Sequence, residues 1–204
     1  MSLQNRVLPD GSIVAVPDRG GLMGNRGGAI HRPDRTLGAA RWRSRAWISC
    51  LLDFRGRRRR VMEPGRYTEL FFLDEAVALA AGHRPCAECR RAAFRSFAGA
   101  WALAGLGPDR AAQMDAVLHP ARLARDADGC THRAVAQSLP DGVMIRMGNV
   151  PALIRGALAL PFAPSGYGPP LPRPRGPVAV FTPVPVVAVL AAGYRPMLHA
   201  SAGV

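Results

Sequence analysis

The chain has 204 residues, enough for one domain or two small ones, and its 49% hydrophobic content excludes a wholly disordered chain. Its 27 basic residues, all of them arginine, against 14 acidic ones give a formal net charge of +13. Such a surplus is typical of proteins that bind nucleic acid, an anionic membrane surface or an acidic partner, and we favour nucleic acid. The sequence has no apolar run of about 18 residues and no signal-peptide pattern, which predicts a cytoplasmic protein without a membrane anchor.

Short strands and loops are predicted for the N-terminal part, because turn-forming glycines separate short apolar runs such as residues 13–16. Trp42 and Trp47 follow, and their spacing favours packing in the core over stacking on exposed bases. Residues 55–60 read Arg-Gly-Arg-Arg-Arg-Arg. They are too charged to be buried, so we expect an exposed loop or hairpin tip.

The middle of the chain is predicted to be mainly helical. Leu70–Phe72 is typical of a short strand, and Asp74 can cap a helix over residues 75–81 that ends before a glycine. Apolar residues at helical spacing then predict a second helix over residues 86–101. A third helix is expected around residues 108–125.

The C-terminal part changes to short strands and repeats an earlier motif. Strands are predicted over residues 143–147, 152–154 and 178–181, with seven prolines in residues 161–177. The sequence Leu-Ala-Ala-Gly-His-Arg-Pro at residues 79–85 recurs as Leu-Ala-Ala-Gly-Tyr-Arg-Pro at residues 190–196. Each copy follows a predicted strand and short helix, which suggests two similar halves. The alternative is a chance match in an alanine-rich chain.

These elements predict an α+β fold, with small mixed or antiparallel sheets and short helices around a metal site. We expect an arginine-rich, zinc-binding domain over residues 1–104 and an α+β part over residues 105–204, which can pack together as one unit. The excess of positive charge lies mainly in the first half: 18 arginines against 9 acids in residues 1–100, and 9 against 5 in the remainder.

The cysteines are the strongest chemical signal. Cys86 and Cys89 form a Cys-x-x-Cys pair, which allows two thiolates to bind one metal ion or to react with each other. The basic surroundings and the lack of a preceding parallel strand favour zinc over a redox pair. Zinc requires further ligands, and we expect Cys50 and Cys130, with His31 as the alternative fourth ligand.

Three segments resemble the metal-binding domain of the Ada DNA-repair proteins: residues 47–50 (Trp-Ile-Ser-Cys), 71–76 (Phe-Phe-Leu-Asp-Glu-Ala) and 80–90 (Ala-Ala-Gly-His-Arg-Pro-Cys-Ala-Glu-Cys-Arg). That family has a first cysteine pair after a strand. A strand–helix unit follows, and it ends in Ala-Gly-aromatic-Arg-Pro-Cys-x-x-Cys. The resemblance spans roughly residues 45–92.

The resemblance implies a small zinc module that contacts the DNA backbone and accepts a methyl group from a methylated phosphate. Cys50 corresponds to the accepting cysteine and is therefore the candidate catalytic residue, while Cys86 and Cys89 correspond to the second pair. Phe54 stands where the family has the second cysteine of the first pair, so a fourth ligand has to come from elsewhere.

Phosphate contacts are predicted for the arginines that flank the cysteines in the sequence: Arg55, Arg57, Arg58, Arg59, Arg60, Arg84, Arg90 and Arg91. The leading hypothesis is a zinc-containing DNA-binding protein that contacts the phosphate backbone, in DNA repair or damage sensing. One alternative is an enzyme acting on nucleic acid, either a methylphosphotriester acceptor or a nuclease or glycosylase. The other is a protein-interaction module with structural zinc. The sequence leaves both DNA and RNA open as the partner.

Overall fold

The computed structural model describes residues 2–56 and 60–203. Within these ranges, thirteen short strands form two sheets, and four α-helices pack against them. Two short 3-10 turns lie at Ala136–Ser138 and Ala200–Ala202. The predicted α+β class, with small sheets and short helices, is confirmed.

The first sheet is mixed and has the strand order β2-β1-β5-β3-β4-β6. Its strands are β1 (Arg6–Val7), β2 (Ile13–Val14), β3 (Leu22–Asn25), β4 (Ile48–Leu51), β5 (Leu70–Phe72) and β6 (Arg84–Pro85). β3 is antiparallel to both β4 and β5, whereas β6 is parallel to β4. This parallel pairing of β4 and β6 brings two distant cysteines together.

The second sheet is antiparallel and has the order β11-β10-β9-β8-β13-β7, with β12 paired to β10. Its strands are β7 (His132–Val135), β8 (Met144–Met147), β9 (Val150–Arg155), β10 (Leu158–Ala163), β11 (Gly166–Tyr167), β12 (Leu171–Pro172) and β13 (Pro177–Val180). Three of these strands include prolines of the 161–177 segment, for which no strand was predicted. Pro172 ends β12 and Pro177 begins β13, positions that tolerate proline because no ladder hydrogen bond is lost, whereas Pro161 lies inside β10.

The helices are α1 (Glu75–Ala80), α2 (Arg91–Leu103), α3 (Ala111–Leu123) and α4 (Val184–Ala191). Asp74 caps α1 as predicted, by accepting a hydrogen bond from the N–H of Val77 at 3.1 Å. The prediction that α2 begins near residue 86 is wrong. The cysteine pair and the residues between its members form a turn, because the N–H of Glu88 points at a cysteine sulfur rather than at a helical carbonyl.

Two hydrophobic clusters stabilise the fold, and each draws residues from both sides of position 104. The first contains Phe97 and Trp101 of α2 together with Val180 and Val189. The second packs α1 between residues of the first sheet and Met144 of the second. All six residues of α1 are buried, so this helix lies in the interior. The boundary at residue 104 stays a prediction.

The two strand–helix units are similar in topology. In the first sheet, β5 precedes α1 and is antiparallel to β3, which is itself antiparallel to β4. In the second sheet, β13 precedes α4 and is antiparallel to β8, which is itself antiparallel to β9. Both helices end at a glycine with positive φ, +86° at Gly82 and +104° at Gly193. The N–H of the next residue, His83 or Tyr194, then donates to a carbonyl in the last turn of the helix, that of Ala78 at 2.8 Å or of Val189 at 3.2 Å.

None of the helices in the described ranges combines the length and the apolar character that a bilayer-spanning segment requires.

Candidate metal centre

The parallel pairing of β4 and β6 places Cys50 beside Cys86, although 35 residues separate them in sequence. Ser49 is in register with Pro85, and the N–H of Cys86 donates a hydrogen bond to the carbonyl of Ser49 at 2.9 Å. The next residue on each strand is therefore a cysteine. The turn that follows β6 brings Cys89 back to the same place.

The three sulfur atoms of Cys50, Cys86 and Cys89 lie within 4.8 Å of one another. A tetrahedral zinc ion with Zn–S bonds of about 2.3 Å needs sulfurs about 3.8 Å apart, so this spacing fits the metal. The N–H of Glu88 donates to the sulfur of Cys86 at 3.4 Å, which stabilises negative charge on that sulfur. All three cysteines are free, and the group can hold a metal ion.

The acidities of the three thiols are linked because their sulfurs share protons. The pKa of Cys86 is lowered to about 5, mainly by a hydrogen bond from the Cys50 thiol and also by the N–H groups of Cys89 and Glu88. The pKa of Cys50 is raised, because its proton is held between the other two sulfurs and because it is buried. The pKa of Cys89 is lowered, chiefly by its hydrogen bond with Cys50. A cation that replaces the Cys50 proton would allow all three sulfurs to be thiolates.

A pocket of about 710 Å³ opens beside the cysteines, and all three line it. Cys50 and Cys86 are 7% and 8% exposed, and Cys89 is half-buried. The rest of the lining combines apolar and aromatic side chains, such as Met23, Leu51, Phe54, Tyr67 and Phe71, with five polar or charged residues: Arg19, Asn25, Asp53, Glu69 and Glu88. The three-cysteine group therefore faces an accessible cavity rather than a closed core.

No protein-family model, no curated protein and no solved structure matches this chain.

A buried ion pair braces the cysteine turn. Arg90, which directly follows Cys89, forms two hydrogen bonds with the carboxylate of Glu75, at 2.8 and 2.6 Å. Arg90 also donates to the hydroxyl of Ser49 at 3.0 Å, next to Cys50. The hydroxyl of Tyr194, from the repeated motif, donates to Glu75 at 2.6 Å. The second strand–helix unit thus supports the site of the first.

A second buried pair lies on the other side of the turn. The guanidinium of Arg84 binds the carboxylate of Asp115 through two hydrogen bonds, at 3.0 and 2.7 Å. Arg84 and Arg90 are 4% and 7% exposed. The prediction that both contact phosphate is therefore corrected: these arginines neutralise buried carboxylates, and they hold the turn in place.

Of the other arginines predicted to contact phosphate, the structure describes some and not others. Arg55, Arg60 and Arg91 are exposed, and Arg55 lies over the ring of Phe54 at 5.0 Å. The predicted contacts Arg57, Arg58 and Arg59 lie outside the described residues. The sequence reasoning missed Arg19, which lines the pocket and lies over the ring of Phe71 at 4.6 Å. No local signal in the sequence marks it.

Cys130 and His31, the two candidates for a fourth ligand, are not part of the group. Cys130 is 2% exposed within the second hydrophobic cluster, where burial raises its pKa to about 11. His31 has its Nδ1 2.6 Å from the hydroxyl of Thr68 and its Nε2 3.3 Å from the carbonyl of Glu63. Across residues 2–56 and 60–203, the group of clustered ligand atoms comprises three cysteines.

His83 precedes the cysteine turn, and it belongs to the core rather than to the metal group. Its ring packs against Phe72 and Trp47, with centroids 4.7 and 5.2 Å away. Its Nε2 accepts a hydrogen bond from Arg26 at 3.3 Å. Burial, and secondarily the charge of Arg26, lower the pKa of His83 well below its usual value, so the ring is neutral at physiological pH.

Proposed function

We propose that this chain is a zinc protein that binds nucleic acid through the phosphate backbone. The observation that carries the proposal is the convergence of Cys50, Cys86 and Cys89 beside an open pocket in a chain of net charge +13. The sequence resemblance to the metal-binding domain of Ada supports the same conclusion.

Cys50, Cys86 and Cys89 would hold the zinc ion. Three protein ligands are typical of sites that leave one position of the metal for water or substrate. The pocket gives such a fourth position room, and Phe54, which replaces the family's other cysteine, lines that pocket. Zinc bound there would keep the cysteine sulfurs ionised at neutral pH and would supply a local positive charge.

Exposed arginines next to the cysteine site supply the proposed contacts with phosphate. Arg19 lines the pocket, and Arg55 adjoins the lining residue Phe54. Arg91 begins α2, two residues after Cys89. Guanidinium groups bind phosphate oxygens through paired hydrogen bonds, and such contacts do not depend on base sequence.

Salt titration of DNA binding tests this proposal. The affinity for a short duplex, measured by fluorescence anisotropy, should fall steeply between about 50 and 200 mM salt. Arg91→Ala should reduce the slope of log affinity against log salt by about 0.9, the value for one phosphate contact. Arg133→Ala is the matched control, since Arg133 is an equally charged, exposed residue of β7 in the second sheet.

Two results would contradict the proposal: no binding at the lowest salt, or binding that does not change with salt. Either result, with zinc still bound, would favour a protein-interaction module instead. An Arg91→Ala slope equal to that of the wild type, with a reduced slope for Arg133→Ala, would place the nucleic acid on the second sheet.

A second candidate function is methyl transfer to Cys50, favoured by the position of this residue in the pocket wall. In this reaction, Cys50 would react as the thiolate left when zinc displaces its proton: the sulfur forms a bond to the methyl carbon, the carbon–oxygen bond breaks, and the phosphodiester leaves as an anion. Intact-mass measurement after incubation with DNA that carries methylated phosphates should show the gain of one methyl group. The gain should be absent in Cys50→Ser. An unmodified wild-type chain would exclude this activity.

A further inference from the structure

Trp42 is an exposed aromatic side chain in an arginine-rich loop. The chain has three tryptophans: Trp101 is fully buried, Trp47 is 4% exposed, and Trp42 is 40% exposed. The expectation that both Trp42 and Trp47 pack in the core is therefore correct for Trp47 and wrong for Trp42. Single exposed apolar side chains are normal on a protein surface, so the case for Trp42 depends on its ring contacts and on the charge around it.

The ring of Trp42 is held in place by tilted and edge-on contacts. Its centroid lies 5.6 Å from that of His119 at an interplanar angle of 76°, and 6.2 Å from that of Trp47 at 47°. Neither neighbour stacks parallel on it. The indole is therefore fixed by its neighbours while a large part of its surface is left free for a planar ligand.

The loop that carries Trp42 is held in place by hydrogen bonds of the residues that follow Trp42. The N–H of Arg43 donates to the carbonyl of Arg26 at 2.8 Å, and the guanidinium of Arg43 donates to the carbonyl of Ala29 at 2.8 Å. The indole N–H of Trp47 donates to the carbonyl of Ser44 at 3.1 Å. A pre-ordered loop loses little conformational entropy when it binds a ligand.

Positive charge surrounds this position. Arg41, Arg43 and Arg45 are exposed in the same loop. Behind it, the guanidinium groups of Arg26 and Arg122 lie over the ring of Trp47, at 4.1 and 4.2 Å from its centroid. Burial lowers the pKa of each of these two to about 9, so both still carry a charge at neutral pH.

We propose that Trp42 is a stacking platform for an unpaired base of single-stranded nucleic acid, with the exposed arginines of the same loop holding the adjoining phosphates. An aromatic face beside a positive groove is the arrangement by which single strands are bound, since every base has a stacking face and every linkage a charge. The inference rests on the proposed nucleic-acid binding and extends it by naming unpaired nucleotides as the ligand.

The test compares an oligothymidylate with a duplex of equal length, using zinc-loaded protein. Trp42 is the most exposed of the three indoles, so its fluorescence should be quenched by the oligothymidylate and much less by the duplex. Trp42→Ala should weaken single-strand binding by roughly 5- to 150-fold, the range expected for one stacked base, and should leave duplex affinity almost unchanged. Trp42→Phe should keep part of the affinity. Leu103→Ala, which shortens another exposed apolar side chain, should have no effect.

The outcomes separate this inference from the function on which it rests. Salt-dependent duplex binding without quenching, or with unchanged single-strand affinity in Trp42→Ala, overturns the platform and leaves backbone binding intact. Equal weakening for both ligands also overturns it, because Trp42 would then contribute as much to the binding of paired nucleotides as to the binding of unpaired ones. The absence of binding to either ligand overturns both. A thermal melt of each variant identifies any loss that comes from unfolding.

Discussion

Replacing Glu75 with glutamine should weaken both the fold and the proposed metal centre. The carboxylate of Glu75 accepts hydrogen bonds from Arg90, from the hydroxyl of Tyr194 and from the N–H of Met197. It therefore connects the cysteine turn of the first strand–helix unit to the turn that ends the second. Glutamine has nearly the same shape, so the substitution removes the charge and leaves the packing almost unchanged.

The expected magnitude follows from the burial of the pair. The side chains of Arg90 and Glu75 are 5% and 1% exposed. Removing one charge of a buried pair costs about 3–5 kcal/mol, because the other charge stays buried without compensation. Glutamine keeps one oxygen as an acceptor, so we expect about 3 kcal/mol. Since Arg90 also adjoins Cys89 and bonds Ser49, we expect zinc affinity to fall about 10-fold, the lower end for groups that orient metal ligands.

The assay is urea unfolding of the metal-free protein, together with zinc affinity measured by competition with a chelator. Arg90→Gln and the double variant complete a mutant cycle, which isolates the coupling between the two residues. Asp109→Asn removes an exposed carboxylate and serves as the control. A loss below about 1 kcal/mol would mean that the pair contributes no more than a surface pair. A full loss of stability with unchanged zinc affinity would refute the link between Glu75 and the metal site.

Three further predictions concern the turn before the cysteines and its surroundings. Gly82→Ala should destabilise the protein more than Gly193→Ala in urea unfolding. Both glycines have positive φ, which costs about 1–2 kcal/mol for alanine. Of the two, only Gly82 would place the new Cβ against a side-chain carbon, that of Arg122 at 2.5 Å. Equal losses would contradict the close approach. Because the pKa of His83 is depressed in the folded chain, the imidazole binds a proton more readily in the unfolded chain. The contribution of this residue to the free energy of unfolding should therefore be fully present above about pH 6.5 and fall below that pH by up to about 1.4 kcal/mol per pH unit. His83→Phe should flatten that fall, and an unchanged pH profile would show that the ring is protonated in the folded state. Asp115→Asn should cost about 3 kcal/mol by leaving Arg84 buried without a counter-charge, and a thermal melt unchanged from the wild type would show that Arg84 finds another partner.

Local signals in the sequence predicted α1 and the strand before it correctly. Asp74 and Gly82 delimit α1 by capping chemistry that acts within a few residues, so no tertiary information is required. The convergence of Cys50 with Cys86 was also predictable, because the spacing pattern and the resemblance to a known module both indicated it.

Features that depend on distant partners were not predictable. The sequence around Arg84 and Arg90 is basic and suggests an exposed patch, yet each arginine pairs with a buried carboxylate brought in by another helix. Trp42 stands between two arginines, whereas Trp47 stands between Ala46 and Ile48 directly before β4, and it is Trp47 that enters the core. Cys130 had no pattern of its own, and its burial follows from the packing of the second sheet.

Reconstitution with cobalt in place of zinc tests the central claim most directly. Thiolate ligands give bound Co²⁺ an intense ligand-to-metal charge-transfer band, whose strength follows the number of sulfurs. We predict one ion per chain, with a band that is lost or much reduced in Cys50→Ser, Cys86→Ser and Cys89→Ser and kept in full in Cys130→Ser. A full band in any of the first three variants, or its loss in Cys130→Ser, would contradict the three-cysteine metal site.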